Sequence, residues 1–594
     1  MEKPQNNWPD TSKARSLLFV AQAIKQLSAI DSFESFRMMT LDTVTRVEEA
    51  KQVVKDIQRG ISKQSFGPIA KELCWTLKAD PIVDVKSFDQ TPHALKYFEG
   101  LALNEKTYMS RIHSRLDVLS AKLSSDYKSS LEQFIIDNYT NESRRDPVLV
   151  AISYYLSHLV NSGYSRQFIY DIAEEIFFLE DVSRSTSNKI RSFFERFEMK
   201  DSNFTVYFQV DDESMSYLKD VYKIEPIDDK DVPPAIIAGY VMAGMTIGKD
   251  TKFASVDRRA KDMFSAARST YDDLTTISSV SVLSSWSMNF NLPKDFCSYH
   301  KRKKIARAYS INAIDGGGSI RIAQSQARGV KESKDDVNNI SRYFDSRSAE
   351  RLHNSISSVS AALTDKNYDS RLISIWSSFE ALLSSPPSGS VRILHYVDLV
   401  TPCVLAKYFE RNIIALYNPL ILHYRDDFTD KLDLIKADGE QNRVMQFLTL
   451  LFDEKYQTSL NALIRDLSGY PLLSHRISMA ISRFGTPARY LEALASHKDR
   501  VQWQLHRIYR ARNQLVHSGR APEYLDVLTV NAFEYYRNAI RHILNSGRDL
   551  GGTNDVDTVV ESVGLKFDGH LAYVTSLQSA KRFTNATMRR AFLG

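Results

Sequence analysis

The sequence predicts a mainly α, multidomain protein with a helical N-terminal region, a small α/β middle domain and a C-terminal helical bundle. Apolar residues recur three and four apart through much of residues 1–200 and again through 340–545, the spacing of helices with one buried face. Between those regions the period drops to two: Phe204, Val206, Phe208 and Val210 fall on one side of FTVYFQV, as in a strand. A chain of 594 residues also exceeds one ordinary domain.

With 43% apolar and 25% charged residues, the composition is that of a folded globular protein rather than a disordered one. A net charge of +5 and a pI near 8.7 impose no overall basic field, so composition alone does not select nucleic acid as partner. No apolar run reaches membrane-spanning length, and the opening MEKPQNNWPD lacks a signal-peptide core. A cytoplasmic protein without membrane contact is therefore expected. Cys74, Cys297 and Cys403 lie far apart with no CxxC or Cys/His spacing, which suits a reducing compartment and argues against a zinc module or disulfide scaffold. Neither a metal nor a cofactor is expected.

Residues 1–200 form the helical N-terminal region, read as sensor or regulator. Trp8-Pro9-Asp10-Thr11 supplies capping residues ahead of a helix carrying Ala14, Leu17, Leu18, Ala21, Ile24 and Leu27. Further stripes run Ile112, Leu116, Leu119, Leu123, then Leu131, Phe134, Ile135, then Ile152, Tyr155, Leu156, Leu159 behind Asp146-Pro147. Asp80, Asp84 and Lys86 imitate the Asp…Asp-x-Lys of metal-dependent nucleases, but such a site needs its acids on adjoining strands, and a short loop or strand edge is expected here.

Residues 201–325 form the α/β domain. Strand-like alternation is also expected, more loosely, over 280–292 and 306–314, with a helix through Met263, Phe264, Ala267 and Tyr271 between. The Gly-rich stretch 315–319 lacks the Gly-Lys-Ser/Thr ending of a phosphate loop and reads as a turn. Lys301, Arg302, Lys303 and Lys304 are the densest basic cluster; they can hold an RNA backbone by charge, with Tyr299 and Tyr309 as stacking platforms, or form a solvated loop. The polar residues 324–339 read as a linker.

Helices are then expected over 347–363, 368–384, 390–411, 443–468, 486–518 and 523–544, enough to close a bundle over 340–545. Residues 546–594 read as an appended tail.

The most informative stretch is DRVQWQLHRIYRARNQLVHSG, residues 499–519. Val501, Leu505, Ile508, Leu515 and Val516 mark its buried face, and Gly519 stands where a left-handed cap would stop it. It contains Arg512, Asn513 and His517. Five residues rotate a helix by about 500°, so the Arg and His side chains leave it about 140° apart and must converge to share a ligand. Arg/His pairs four to six apart also occur at Arg537/His542, Arg500/His506 and Arg347/His353, so spacing alone is weak. The Asn after the Arg, the Val before the His, the Ser-Gly stop and an upstream apolar helix carrying Trp376 and Glu380 distinguish this one.

RNQLVH together with the Glu380 helix resembles the HEPN superfamily, and within it the prokaryotic ApeA-like branch, over residues 340–545. The resemblance implies a HEPN-like helical ribonuclease domain, a metal-independent endoribonuclease leaving 2′,3′-cyclic phosphate ends. It implies a role in anti-phage defence by abortive infection, RNA such as tRNA as substrate, and a phage-derived trigger. It further implies a homodimer, or a higher even oligomer, that pairs two motif helices across a two-fold axis. The matching positions are Arg512, Asn513 and His517, with Glu380 as a fourth.

The chemistry suits those residue types. RNA carries its own nucleophile in the 2′-hydroxyl; an imidazole near neutrality can remove its proton or protonate the leaving oxygen. A guanidinium offers fixed charge and paired hydrogen bonds to phosphate oxygens. Asn513 can donate to the phosphate, and Glu380 can orient Arg512 or His517. Two alternatives stand beside this: a non-catalytic HEPN-type module that binds RNA or nucleotide or dimerises, and a metal-dependent DNA nuclease in the N-terminal region. In a purely structural role, His517 meets the negative end of a helix dipole and Arg512 pairs with Glu523 or Asp526.

Overall fold

The computed structural model describes residues 11–29, 36–60, 66–85, 109–179, 186–248, 250–284, 290–311, 326–365, 367–388 and 390–593, with Trp8 and Phe33. The chain is mainly helical, 74% helix against 7% strand, and among the described residues the strands are confined to one small antiparallel sheet.

Thr11 caps the helix Ser12–Ser28, its hydroxyl accepting from the Ala14 amide at 3.2 Å. All six residues of the stripe are buried. The helix packs on Arg145–Asn161 and Arg166–Glu174, and also on Pro471–Phe484 of the C-terminal bundle. Gln22 fixes that last contact, donating to the Gly469 carbonyl at 3.2 Å and accepting from the Leu472 amide at 3.3 Å. Leu472 consequently completes the N-terminal core. A second layer, Thr43–Gln58, Gly67–Ala79 and Met109–Ser124, buries Ile112, Leu116, Leu119 and Leu123. Asp80 is buried at the end of Gly67–Ala79, accepting from the Ile82 amide at 2.9 Å and the Tyr127 hydroxyl at 2.5 Å. It secures a helix corner; Lys86 lies outside the described residues.

The sheet has the order β2-β1-β3-β4, with β1 Ser202–Asp211, β2 Thr251–Ala260, β3 Asp295–His300 and β4 Ile305–Ser310. Val206 pairs with Val256 and Phe208 with Phe296. Phe204, Val206, Phe208 and Val210 pack with the helix Met263–Ser284, as their alternation predicts, while Tyr207 and Cys297 pack with Pro234–Met242. Residues 280–284 correct the expected alternation: they end that long helix, and 285–289 lie outside the described residues, as does 315–319. The expected linker is also corrected. From 326 onward it belongs to a helix, Gln326–Tyr343, anchored by buried Ile340.

In the bundle, Ser346–Thr364, Tyr368–Leu382, Arg392–Leu405, Arg443–Phe452, Pro487–Ser518 and Leu525–Leu550 occupy expected places. Lys407, at φ 58°, splits the predicted 390–411 helix, after which Tyr408–His423 follows. The predicted 443–468 helix breaks after Phe452 and resumes as Gln457–Asp466. The largest correction is the expected tail. Leu525–Leu550 runs through its boundary, Val556–Ser576 and Asn585–Leu593 follow, and Val556, Val560, Val563, Phe567 and Phe592 enter the bundle core. Their apolar residues recur at three- and four-residue spacing, which gives each helix a face to bury.

Candidate active site

The motif helix, Pro487–Ser518, stops where its sequence dictates. Gly519 takes φ 62°, a left-handed conformation that glycine adopts without a Cβ penalty, and its amide donates to the Leu515 carbonyl at 3.0 Å. Val501, Leu505, Ile508 and Leu515 are buried, but Val516 is 48% exposed and leaves the expected buried face. Arg512 takes the place in that stripe between Ile508 and Leu515, which points it inward and half-buries it.

Inward, it meets the helix Tyr368–Leu382. Arg512 Nη2 lies 3.4 Å from Glu380 Oε2, and Arg512 Nη1 donates to Asn513 Oδ1 at 3.2 Å. Glu380 is held from its other side by Trp376, whose indole Nε1 donates to Oε1 at 3.0 Å. Arg512 Nε is buried with no hydrogen-bond partner among the described residues, so the guanidinium retains donor capacity. His517 is exposed in the last turn of the motif helix, and no hydrogen bond joins it to Arg512 among the described residues. The fold thus brings Arg512, Asn513 and Glu380 together and places His517 beside them in sequence, at the open end of the helix.

Aromatic side chains wall this end. Trp376 packs against Tyr509 and Tyr396, ring centroids 5.3 and 6.0 Å away. Burial raises the Tyr396 hydroxyl pKa, and the Glu380 charge adds to it. Tyr396 thus sits level with Tyr509, while Tyr408 stacks on His497 at 3.6 Å. The helix Arg392–Leu405 therefore runs antiparallel to the motif helix and brings its N-terminal end to the level of Asn513. There Val391 and Leu394 are about half exposed, like Val516.

Two residues outside RNQLVH tie the same helix to the N-terminal region. Arg507, 1% exposed, donates from Nε and Nη2 to Glu49 at 2.9 Å each and from Nη2 to Glu72 at 2.5 Å. Arg510 donates to Glu49 at 2.7 Å, and Arg46 pairs with Glu72. Burial opposes ionisation of Glu49, but Arg507 and Arg510 outweigh it and hold its pKa far below the usual carboxylate range. Arg507 repeats at four-residue spacing with buried Trp503 and Ala511, so a second buried face was available as its signal.

The other Arg/His pairs differ. Burial, with Arg510 nearby, pushes His506 down to about 4. Burial, with Lys407 nearby, does the same to His542, which is partly buried. His353 and Arg347 are exposed.

Lys301, Arg302, Lys303 and Lys304 form the exposed β3–β4 turn, Lys304 at φ 53° and Lys301 3.5 Å from Asp257. Tyr309 cannot serve as a stacking platform there: it is buried, stacked on Phe264 at 4.5 Å. Tyr299 is half-buried. No hydrogen bond or ion pair among the described residues links this turn to the Arg512 group. Among the described residues, no group of three or more His, Cys, Asp or Glu side chains is set to hold a metal ion. No family model, curated protein or solved structure matches the chain.

Proposed function

We propose that the chain is a metal-independent endoribonuclease of HEPN type, with Arg512 and His517 as its working residues. The observation that supports it most is the placement of Arg512: half-buried, oriented by Glu380 and Asn513, with an imidazole exposed at the end of the same helix. In the reaction the 2′-oxygen of RNA attacks the adjacent phosphorus and the 5′-oxygen departs, giving a 2′,3′-cyclic phosphate and a 5′-hydroxyl. His517 takes the 2′-hydroxyl proton or supplies one to the leaving oxygen. Arg512 neutralises charge building on the phosphate oxygens. One histidine serves one of these proton transfers; a two-fold partner supplies the other, and exposed Val391, Leu394 and Val516 provide apolar surface for such pairing. Lys301, Arg302, Lys303 and Lys304 would hold RNA, including tRNA, by charge. The Arg507 and Arg510 contacts to Glu49 support restraint of the motif helix by the N-terminal region, as a toxic cytoplasmic nuclease in abortive infection after a phage-derived trigger requires.

The purified chain is incubated with total RNA in EDTA, beside His517→Ala and Arg512→Ala, and the new ends are mapped. Cyclic-phosphate ends from the wild type alone support the reading; equal cleavage by all three removes it. The pairing of Arg512 with Glu380, which offsets part of its charge, favours a second reading: a non-catalytic HEPN-type module for RNA binding or dimerisation. Binding without turnover, in extracts of infected and uninfected cells alike, would establish that one.

A further inference from the structure

The helices Thr43–Gln58 and Met109–Ser124 run antiparallel, with Glu48 beside Ser120 and Lys51 beside Asp117. The end of one therefore meets the start of the other, and a cavity of about 390 Å³ lies between them. That volume falls in the range of small-molecule sites. Lys55, Gln58 and Arg59 line it from the first helix, Ser110, His113 and Ser114 from the second.

The lining carries positive charge and no carboxylate. Lys55 and Arg59 stand one helical turn apart, and neither has an ion pair among the described residues. Acids on the same two helices are engaged elsewhere. Glu48 accepts from Lys51 at 3.0 Å and from Ser120, and Asp56 accepts from Gln52 at 2.9 Å. Asp117 binds Lys51 at 3.0 Å and His113 Nδ1 at 2.9 Å, while Glu49 is taken by Arg507 and Arg510. A single cation at a helix C-terminus is favourable, but a like charge one turn away repels it. An anion between the two relieves that repulsion and takes hydrogen bonds from both.

The remaining wall defines what such an anion is attached to. The Gln58 amide can donate and accept, and Ser114 Oγ, which donates to the Ser110 carbonyl at 3.1 Å, is left to accept. No Phe, Tyr, Trp or aliphatic side chain enters the lining, so a nucleobase has neither a stacking partner nor an apolar wall.

We infer that this pocket binds a small sugar phosphate, with the phosphate between Lys55 and Arg59 and the sugar hydroxyls against Gln58, Ser110 and Ser114. The cavity is larger than a bare phosphate fills, and its polar wall matches hydroxyls. The pocket is separate from the Arg512 group, and its occupancy does not depend on the ribonuclease reading.

The test is calorimetric titration of the full chain with ribose 5-phosphate in phosphate-free buffer, wild type beside Lys55→Gln/Arg59→Gln. A control, Lys436→Gln/Lys498→Gln, removes two exposed cations outside the pocket, and thermal melts verify that each variant folds. One-site binding that weakens about tenfold in the pocket variant and is unchanged in the control is expected. Gln58→Ala, at an exposed position, should lower the affinity for ribose 5-phosphate severalfold while leaving that for inorganic phosphate unchanged. Absence of binding at millimolar ribose 5-phosphate, equal binding by the pocket variant, or equal weakening by the control overturns the proposal. Inorganic phosphate binding as tightly as ribose 5-phosphate overturns it in favour of a free-anion site.

Discussion

Arg507 donates two hydrogen bonds to Glu49, each 2.9 Å long, across 458 positions of sequence. A buried guanidinium between two carboxylates adds little net stability over an apolar triad, but removing one member strands the others. Arg507→Met is expected to cost about 3–5 kcal/mol, measured by denaturant titration. A single Arg507→Met chain as stable as wild type would mean that the network does not hold the two regions together.

Acid sensitivity follows from buried, depressed histidines, His506 and His542 among them. His506 and His542 fall from the ordinary 6.5 to about 4 because burial disfavours their cations. A depressed folded-state pKa means stability that is complete above 6.5 and lost as pH falls toward 4. The expected contribution is up to about 3 kcal/mol per histidine over that window. Denaturation midpoints recorded from pH 7 to 4 should drop steadily, and His506→Gln should flatten part of the slope. A midpoint constant over this range contradicts the assignment.

Trp376 positions Glu380 through one hydrogen bond, so Trp376→Phe keeps the ring packing and removes the donor. A double-mutant cycle with Glu380→Gln should return a coupling of about 1 kcal/mol. Coupling near zero would show that Glu380 is oriented by Arg512 alone.

Gly519→Ala tests the helix stop. A Cβ there meets no neighbouring atom, so the expense is purely that of φ 62°, about 1 kcal/mol, seen as a small fall in melting temperature.

Deleting residues 551–594 should expose Val563 and Phe567's partners in the bundle and give an aggregating protein. A soluble, cooperatively unfolding deletion variant would restore the description of this segment as a tail.

The sequence revealed helices wherever one face was apolar throughout. The stripes behind Thr11 and Ile112, and the motif helix with its glycine stop, have the expected places because local spacing and a cap residue determine them. It concealed elements whose apolar residues are sparse. β2 mixes Arg258 and Arg259 into its alternation. Val516 escaped for a different reason: it lies beside buried Leu515 in the last turn, where the helix face it belongs to is left uncovered. The Arg512–Glu380 contact was foreseeable as a helix pair, whereas Arg507 with Glu49 and Glu72 was not. Buried charge looks like surface charge until the partner helices are in place.

The order of synthesis gives the last helices a further significance. The Tyr490 hydroxyl donates to the Ala591 carbonyl at 2.7 Å, and its ring packs against Phe583 and Phe592 at the start of the motif helix. A ribosome must therefore extrude the chain through Phe592 before that helix gains its full set of neighbours. By then Glu49 and Glu72, which engage Arg507, have long since emerged. The partners of Arg507 are thus in place on the emerging chain before the motif helix gains the last of its neighbours.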